Sequence, residues 1–272
     1  MLHKQRCLAF ARRSSTAYIY IPPPLPLASL SLAAPALLSL AAPAPLLLTP
    51  LSFLALFRSS LQLLKFHSDP PTVTTQRLQA LTTGGLPTFG DISSSFDANQ
   101  IGEDSWLRQL KRRNSTVFFS GDDTWTKLYD ESYFSTSHPY PSFNTRDIDT
   151  VDKGIESHLD ELASVQPRPL VTILHFLGVD HVGHTYGPGT PEMKSKLEWT
   201  DKILAERVLP TLSSPPTAAA ASSSSSSICH VSFVCGDHGM TESGNHGGGS
   251  SEETTAGLYV RFSSGCMFEK GR

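Results

Sequence analysis

The stretch Leu170-Val-Thr-Ile-Leu-His-Phe-Leu-Gly-Val-Asp-His-Val-Gly-His184 decides the fold. Leu170 to Leu177 is an apolar run without alternation, the pattern of a strand buried on both faces. Gly178-Val179-Asp180-His181-Val182-Gly183-His184 then sets an acid and two imidazoles just past the strand's end. A second segment repeats the arrangement: the β-like run Val231 to Cys235 leads into Gly236-Asp237-His238-Gly239-Met240, with Gly244-Asn245-His246-Gly247 close behind. Carboxylate oxygen and imidazole nitrogen suit a borderline divalent ion such as zinc, and the glycines let the backbone turn around it. Two such clusters imply a two-metal hydrolase or transferase site.

Around this pair the periodicity predicts further elements. A turn at Pro70-Pro71 leads into a short helix within Thr72 to Thr83, ended by Gly84-Gly85. Amphipathic helices are expected over Glu103 to Arg113 and Asp147 to Leu162, and a further helix over Pro191 to Val208. Strands are expected at Thr116 to Phe119, Ile228 to Cys235 and Ala256 to Phe262. Helices alternating with strands, with polar clusters at strand ends, describe an α/β fold with its ligands at the carboxyl edge of the sheet.

The composition divides the chain. No Asp or Glu precedes Asp69, while Lys4, Arg6, Arg12, Arg13, Arg58 and Lys65 are basic. Ala34 to Phe57 is uncharged and long enough to span a bilayer, so residues 1–65 read as a low-complexity Pro/Ala/Leu leader. Pro35, Pro43, Pro45 and Pro50 would break a helix there, which leaves a secretory signal or membrane anchor and an unstructured leader both open. Residues 66–272 form the expected catalytic domain, with an Ala/Ser tract over 213–227 that has no apolar face to bury and reads as a disordered insertion. A net charge of −3 with 17% charged residues excludes the basic face of a nucleic-acid-binding protein. Cys7, Cys229, Cys235 and Cys266 have no CxxC spacing and give neither a disulfide framework nor a zinc-thiolate site.

Asp180 and His184 are expected on a loop that bends at Gly183, so that both converge on one ion. Asp237 and His238 line a cavity at the next strand end, and His246 returns from its glycine-rich loop to complete either site. His175 reads as structural and His181 as a support to the ligands. The nucleophile candidates are Thr72, Thr74 and Thr75, which stand where helix amides and dipole favour an anion. A plain N-cap role would account for one of them.

Several segments together resemble the alkaline phosphatase superfamily, and within it the GPI ethanolamine phosphate transferases of the endoplasmic reticulum. They are Asp69-Pro-Pro-Thr-Val-Thr-Thr-Gln-Arg-Leu, Leu81-Thr-Thr-Gly, Leu86-Pro-Thr-Phe, Gly121-Asp-Asp-Thr-Trp, Pro141-Ser-Phe-Asn-Thr-Arg-Asp, Asp149-Thr-Val-Asp, His175-Phe-Leu-Gly-Val-Asp-His and Gly236-Asp-His-Gly-Met. Ser142 to Asp147 and His175 to His181 look most like the member that modifies the third mannose. Gly236 to Glu253 is also similar to the member that acts on the second.

The resemblance implies an alkaline-phosphatase-like central sheet flanked by helices, and two Zn2+ ions, with Mn2+ as an alternative. Asp180, His184 and His246 would hold one ion, Asp237 and His238 the other. Spacing to Gly84 in related enzymes points to Thr74 rather than Thr72 as nucleophile. It would take phosphoethanolamine from phosphatidylethanolamine and give it to a mannose of the GPI precursor. The implied location is the endoplasmic reticulum membrane with a luminal catalytic domain, and the implied partner a small membrane-protein subunit. Ser95 stands where the family has a phosphate-holding asparagine.

Two departures bear on activity. Nothing before Asp69 matches the family's first strand, which ends in a metal-binding Asp, so the sheet is expected to be incomplete at the N-terminus and short of that strand. The family also continues past the equivalent of Arg272 into membrane helices. A partial or inactive member of the family and a phosphodiesterase that uses water are the alternative readings.

Overall fold

The computed structural model describes residues 16–21, 61–86, 100–213 and 230–262. In chain order these form strands β1 (Thr16–Ile21) and β2 (Leu61–His67), then helices α1 (Thr74–Thr83) and α2 (Trp106–Arg112). Strand β3 (Val117–Asp122), helix α3 (Thr124–Leu128) and strand β4 (Thr136–Tyr140) follow. Next come α4 (Thr150–Ser157), α5 (Leu159–Ser164), β5 (Val171–Phe176), α6 (Gly178–Tyr186) and α7 (Pro191–Ile203). A π turn at Leu204–Val208 carries α7 into α8 (Leu209–Ser213), and β6 (Val231–Cys235) and β7 (Thr255–Phe262) complete the set.

The strands make one seven-stranded sheet in the order β2-β7-β6-β1-β5-β3-β4. Strand β3 pairs in parallel with both β4 and β5, while β1 runs antiparallel to both β5 and β6. It follows that β6 points the same way as β5 and β3. Strand β7 is antiparallel to β6 and β2 to β7, so β2 also shares that direction. The carboxyl ends of β2, β3, β5 and β6 therefore lie along one edge.

Strands β3 and β5 are buried at every position, as the unalternating sequence of β5 predicts. Phe118, Leu174 and Phe176 pack on one face against Val151, Ile155, Leu159, Leu162 and Ile203. Val117, Phe119, Val171 and Ile173 pack on the other against Leu78, Leu107, Trp125 and Leu128. Each fully buried side chain of this size contributes roughly 1.5–3 kcal/mol, so the strand ends that carry the polar residues are fixed from both faces.

The place between β5 and β6 is occupied by Thr16–Ile21, with Thr16 opposite Phe176 and Ala17 opposite Cys235; this strand is antiparallel to both and contains no acid, so the expected acid-ended strand is not among the described residues. Two expectations need correction. The expected helix over Asp147 to Leu162 is two helices that meet at His158. Asp180 and His184 lie on helix α6, not on a loop. Three strands, β1, β2 and β4, were not anticipated; β1 lies within the leader, β2 starts inside it, and β4 reads Thr-Ser-His-Pro-Tyr, with no hydrophobic signal. Ser95, the run Ala34 to Phe57 and nearly all of the 213–227 insertion lie outside the described residues. Among the described residues no helix is long and apolar enough to cross a membrane.

Candidate metal centre

Helix α6 begins one residue after β5 ends, and Asp180 is its third residue. Four residues make about one helical turn, so Asp180 and His184 share a face. His184 Nε2 lies 3.3 Å from Asp180 Oδ2. His246, on the loop after β6, brings its Nε2 to 3.4 Å from Asp180 Oδ1 and 3.0 Å from His184 Nε2. His238 stacks on His246 with ring centroids 3.8 Å apart. Asp180, His238 and His246 offer ligand atoms that all lie within 4.8 Å of one another. Asp237, next to His238, places Oδ2 3.7 Å from His238 Nε2.

The loop reaches this position through its glycines and its acceptors. Gly244 has φ 78°, and a Cβ there would stand 2.2 Å from the Gly183 carbonyl oxygen of α6. Only glycine allows that approach. Glu253 accepts from the Gly248 and Ser250 N–H groups at 2.7 and 3.0 Å, bracing the segment from below. Thr72 braces its other side, donating to Gly248 O and accepting from Gly247 N, both at 2.9 Å.

Ring orientation favours metal binding. His246 donates from Nδ1 to Thr72 O at 2.8 Å, and His238 from Nδ1 to Gly239 O at 2.9 Å. In each ring this leaves Nε2 with the lone pair, turned toward the carboxylates. Asp180 Oδ1 and both carboxylate oxygens of Asp237 are buried without a hydrogen-bond partner among the described residues. Buried carboxylate oxygens left this way are costly unless a cation satisfies them. The donor set thus fits divalent ions of the zinc type.

Electrostatics agree. Burial alone would raise the Asp180 carboxyl, but the His184 hydrogen bond and the His246 and His238 rings outweigh it and hold the group well below the usual carboxylate range. Burial likewise pushes Asp237 up, and His238 and His175 bring it below its ordinary value. His184 is raised, chiefly by its bond to Asp180. His246 is lowered, chiefly by burial and then by His238, which favours the neutral, ligating ring. The Cys235 thiol is pushed up to about 12 by burial and by Asp237, so it stays protonated and ligates poorly.

The three threonines have different surroundings. The residue that caps α1 is Val73, whose side chain makes no cap bond, so none of them is a plain N-cap. The Thr72 hydroxyl is fully buried and engaged as both donor and acceptor. Thr74 is the first residue of α1 and only partly buried, two residues from the carbonyl that His246 contacts. His175 is fully buried and its Nδ1 accepts from Trp125 Nε1 at 3.0 Å. His181 turns away from the ligands: its ring nitrogens face Asp147 O at 2.7 Å and Ser142 O at 3.0 Å. Sequence reading missed the bracing by Thr72 and Glu253; the signal for Glu253 was an acid just after a run of glycines whose N–H groups need acceptors.

A sheet whose parallel strands deliver acids and imidazoles to one edge is the arrangement of an α/β enzyme with a candidate metal centre. The chain belongs to the type I phosphodiesterase / nucleotide pyrophosphatase family, whose sequence model matches residues 101–248. This bears out the alkaline-phosphatase-like fold class. Among curated proteins the chain is similar to the catalytic subunit of GPI ethanolamine phosphate transferase 3 from Homo sapiens, 43% identical over 199 residues, covering 73% of this chain and 17% of that protein. GPI ethanolamine phosphate transferase 3 from Saccharomyces cerevisiae is 40% identical over 198 residues, covering 73% of this chain and 18% of that protein. GPI ethanolamine phosphate transferase 2 from the same yeast is 40% identical over 197 residues, covering 70% and 22%. These relatives bear out the resemblance read from the sequence motifs. The chain spans less than a quarter of the length of each. No solved structure matches it.

Proposed function

We propose that the chain carries part of the catalytic domain of a GPI ethanolamine phosphate transferase, within residues 66–272, that moves phosphoethanolamine from phosphatidylethanolamine to a mannose of the GPI precursor. The observation that carries this reading is the convergence of Asp180, His184 and His246 at the carboxyl edge of the sheet, in a chain similar to such transferases. Asp180, His184 and His246 would hold one Zn2+, and Asp237 with His238 the other; Mn2+ is the alternative ion. When bound, the ions supply positive charge to the attacking, leaving and equatorial oxygens of the phosphoryl group.

The chain's own residues do the rest. The Thr74 hydroxyl loses its proton as it attacks phosphorus; the P–O bond to Thr74 forms, the P–O bond to diacylglycerol breaks, and the diacylglycerol oxygen takes up a proton. The start of α1, where Val73 supplies no side-chain cap, turns backbone N–H groups toward the phosphoryl oxygens. A mannose hydroxyl then attacks the phosphorus of the phosphoethanolamine–Thr74 diester; its P–O bond forms, the bond to Thr74 breaks, and a proton returns to the Thr74 oxygen. Thr72 and Glu253 keep the His246 loop in place throughout. Ser95 is assigned a place on the phosphate. The third mannose is the favoured acceptor over the second, on the segments Ser142 to Asp147 and His175 to His181. The setting is the luminal face of the endoplasmic reticulum membrane, with the uncharged run Ala34 to Phe57 as anchor and a small membrane-protein subunit as partner.

One observation favours a second reading, an inactive member of the family. The strand paired with β6 ahead of Asp237, β1, reads Thr-Ala-Tyr-Ile-Tyr-Ile and contains no acid that could serve as a further ligand. Zinc per chain by elemental analysis, with transfer from labelled phosphatidylethanolamine to a mannosylated acceptor, separates the readings. Two zincs with transfer support the transferase; one zinc and no transfer supports the inactive member; release of phosphoethanolamine to water supports a hydrolase. Thr74→Ala is expected to keep its zinc and lose transfer by on the order of 10³-fold or more. Normal turnover in that variant would remove Thr74 as nucleophile.

A further inference from the structure

Helix α6 is held at its amino end by residues outside the metal centre. Its N-cap, Leu177, has no side-chain acceptor to offer. Asp152 of α4, 1% exposed, supplies one from 25 residues away: its Oδ1 accepts from Leu177 N at 2.9 Å and Gly178 N at 3.0 Å. Its Oδ2 lies 3.3 Å from Nζ of Lys196, on α7 and 7% exposed. The same ammonium donates to Ile148 O at 2.5 Å and Asp149 Oδ1 at 2.8 Å. Burial drives the Asp152 carboxyl upward, while Lys196 and the two amide N–H groups pull the other way.

Packing at this junction leaves no slack. A Cβ on Gly178 would stand 2.2 Å from Asp152 Oδ2 and 2.6 Å from Ile148 O, so the first turn of α6 lies directly on the ion pair. A buried ion pair is weak evidence of net stabilisation, because desolvation offsets the attraction. Fixing one element in one register is its better-attested use. Here the element is the helix that carries Asp180, two residues past Gly178, and His184, one turn further on.

We infer that Asp152 and Lys196 are positioning residues: together they set the height and rotation of α6 so that Asp180 and His184 meet His246 at the metal. The inference rests on the metal reading proposed above. A negative group at a helix amino end stabilises that end, and fixing the end fixes ligands within the next two turns. Outer residues that orient ligands of a metal typically change its affinity by about 10–100-fold when replaced.

The test uses the full chain and compares wild type with Asp152→Asn, Lys196→Met and the double variant. Asn keeps an oxygen for the two amides but removes the charge, and the double variant leaves neither member of the pair unpaired if a single one does not fold. Zinc affinity is measured by chelator competition, and Co2+ is substituted so that its visible spectrum reports ligand geometry. Ser105→Ala is the control: its Oγ accepts from Arg108 N at 3.2 Å at the start of α2, a cap bond outside the metal centre. The pair variants are expected to weaken one zinc site by about 10–100-fold and shift its cobalt spectrum, leaving the Asp237/His238 site unmoved. Ser105→Ala is expected to lower Tm alone. Pair variants that lower Tm like the control, with zinc affinity and cobalt spectrum unchanged, would show a merely structural role and overturn the inference. A wild-type chain that binds no zinc overturns the metal reading and this inference with it.

Discussion

Asp180 and His184 share one helix and meet His246 at 3.4 and 3.0 Å, whereas Asp237 and His238 are neighbours in sequence whose side chains approach only to 3.7 Å. The first half of the centre is assembled by a helical turn, a glycine loop and a supporting ion pair, all within the described residues. The second half has a carboxylate with both oxygens unpartnered among those residues, fully buried between strand ends. Contacts among the described residues are enough to build the first half. The second depends on what stands beside Asp237, and the neighbouring strand there runs antiparallel and carries no acid. The difference predicts that the two halves bind zinc with unequal strength, the first more tightly.

The largest effect that tests this is loss of a zinc. His184→Ala or Asp180→Ala is expected to remove the tighter zinc outright, and Asp237→Ala to remove only the weaker. Stepwise chelator titration followed by elemental analysis reads both. If Asp237→Ala costs the tighter ion, the comparison is inverted.

An intermediate effect is the pH dependence of the metal-free first half. His184 is raised above the unfolded value of about 6.5, so its contribution is full below that pH and is lost as pH rises through the raised value. His246, lowered by burial, acts oppositely and costs stability as pH falls below about 6.5. Asp180 is depressed, so its contribution persists above the unfolded value of about 3.9 and is lost only in stronger acid. In metal-free protein, the stability difference between wild type and His184→Gln should therefore shrink from pH 6 upward, as read by urea titration at several pH values. Zinc binding should move the other way and strengthen with pH, since the ion needs a neutral imidazole. A difference that grows with pH would contradict the Asp180–His184 pairing.

The smallest effect sharpens the view of the second half. Trp125 Nε1 donates to His175 Nδ1 at 3.0 Å inside the core, and His175 is among the groups whose influence on Asp237 is downward. Trp125→Phe should cost about 1 kcal/mol in urea unfolding and weaken zinc at the Asp237 half alone. Unchanged stability would show that His175 Nδ1 finds another donor once the indole is gone.

The metal-ligand candidates were legible in the sequence because Asp and His follow apolar runs at two places, and the structure brings Asp180, His184, His246, Asp237 and His238 to one sheet edge. The helical state of Asp180 and His184 was not legible, since Gly178 and Gly183 are poor helix formers in isolation. What overrides them is tertiary: Asp152 caps the helix from a distance, and Gly178 and Gly183 give the close approaches that a side chain would block. Strands β1, β2 and β4 escaped for a related reason: β1 lies within a leader of biased composition, β2 starts inside it, and β4 is a polar edge strand without hydrophobic alternation.

By itself, the sequence determined the α/β class, the buried strand β5, and the placing of Asp and His beside glycines at two strand ends. These are carried by local chemistry, namely unalternating apolar runs and donor side chains beside glycines. Tertiary structure alone decided three things: the engagement of the Thr72 hydroxyl, the turning away of His181, and the antiparallel strand that stands beside Asp237. Each depends on a partner at least 34 residues away along the chain, beyond the reach of any local pattern.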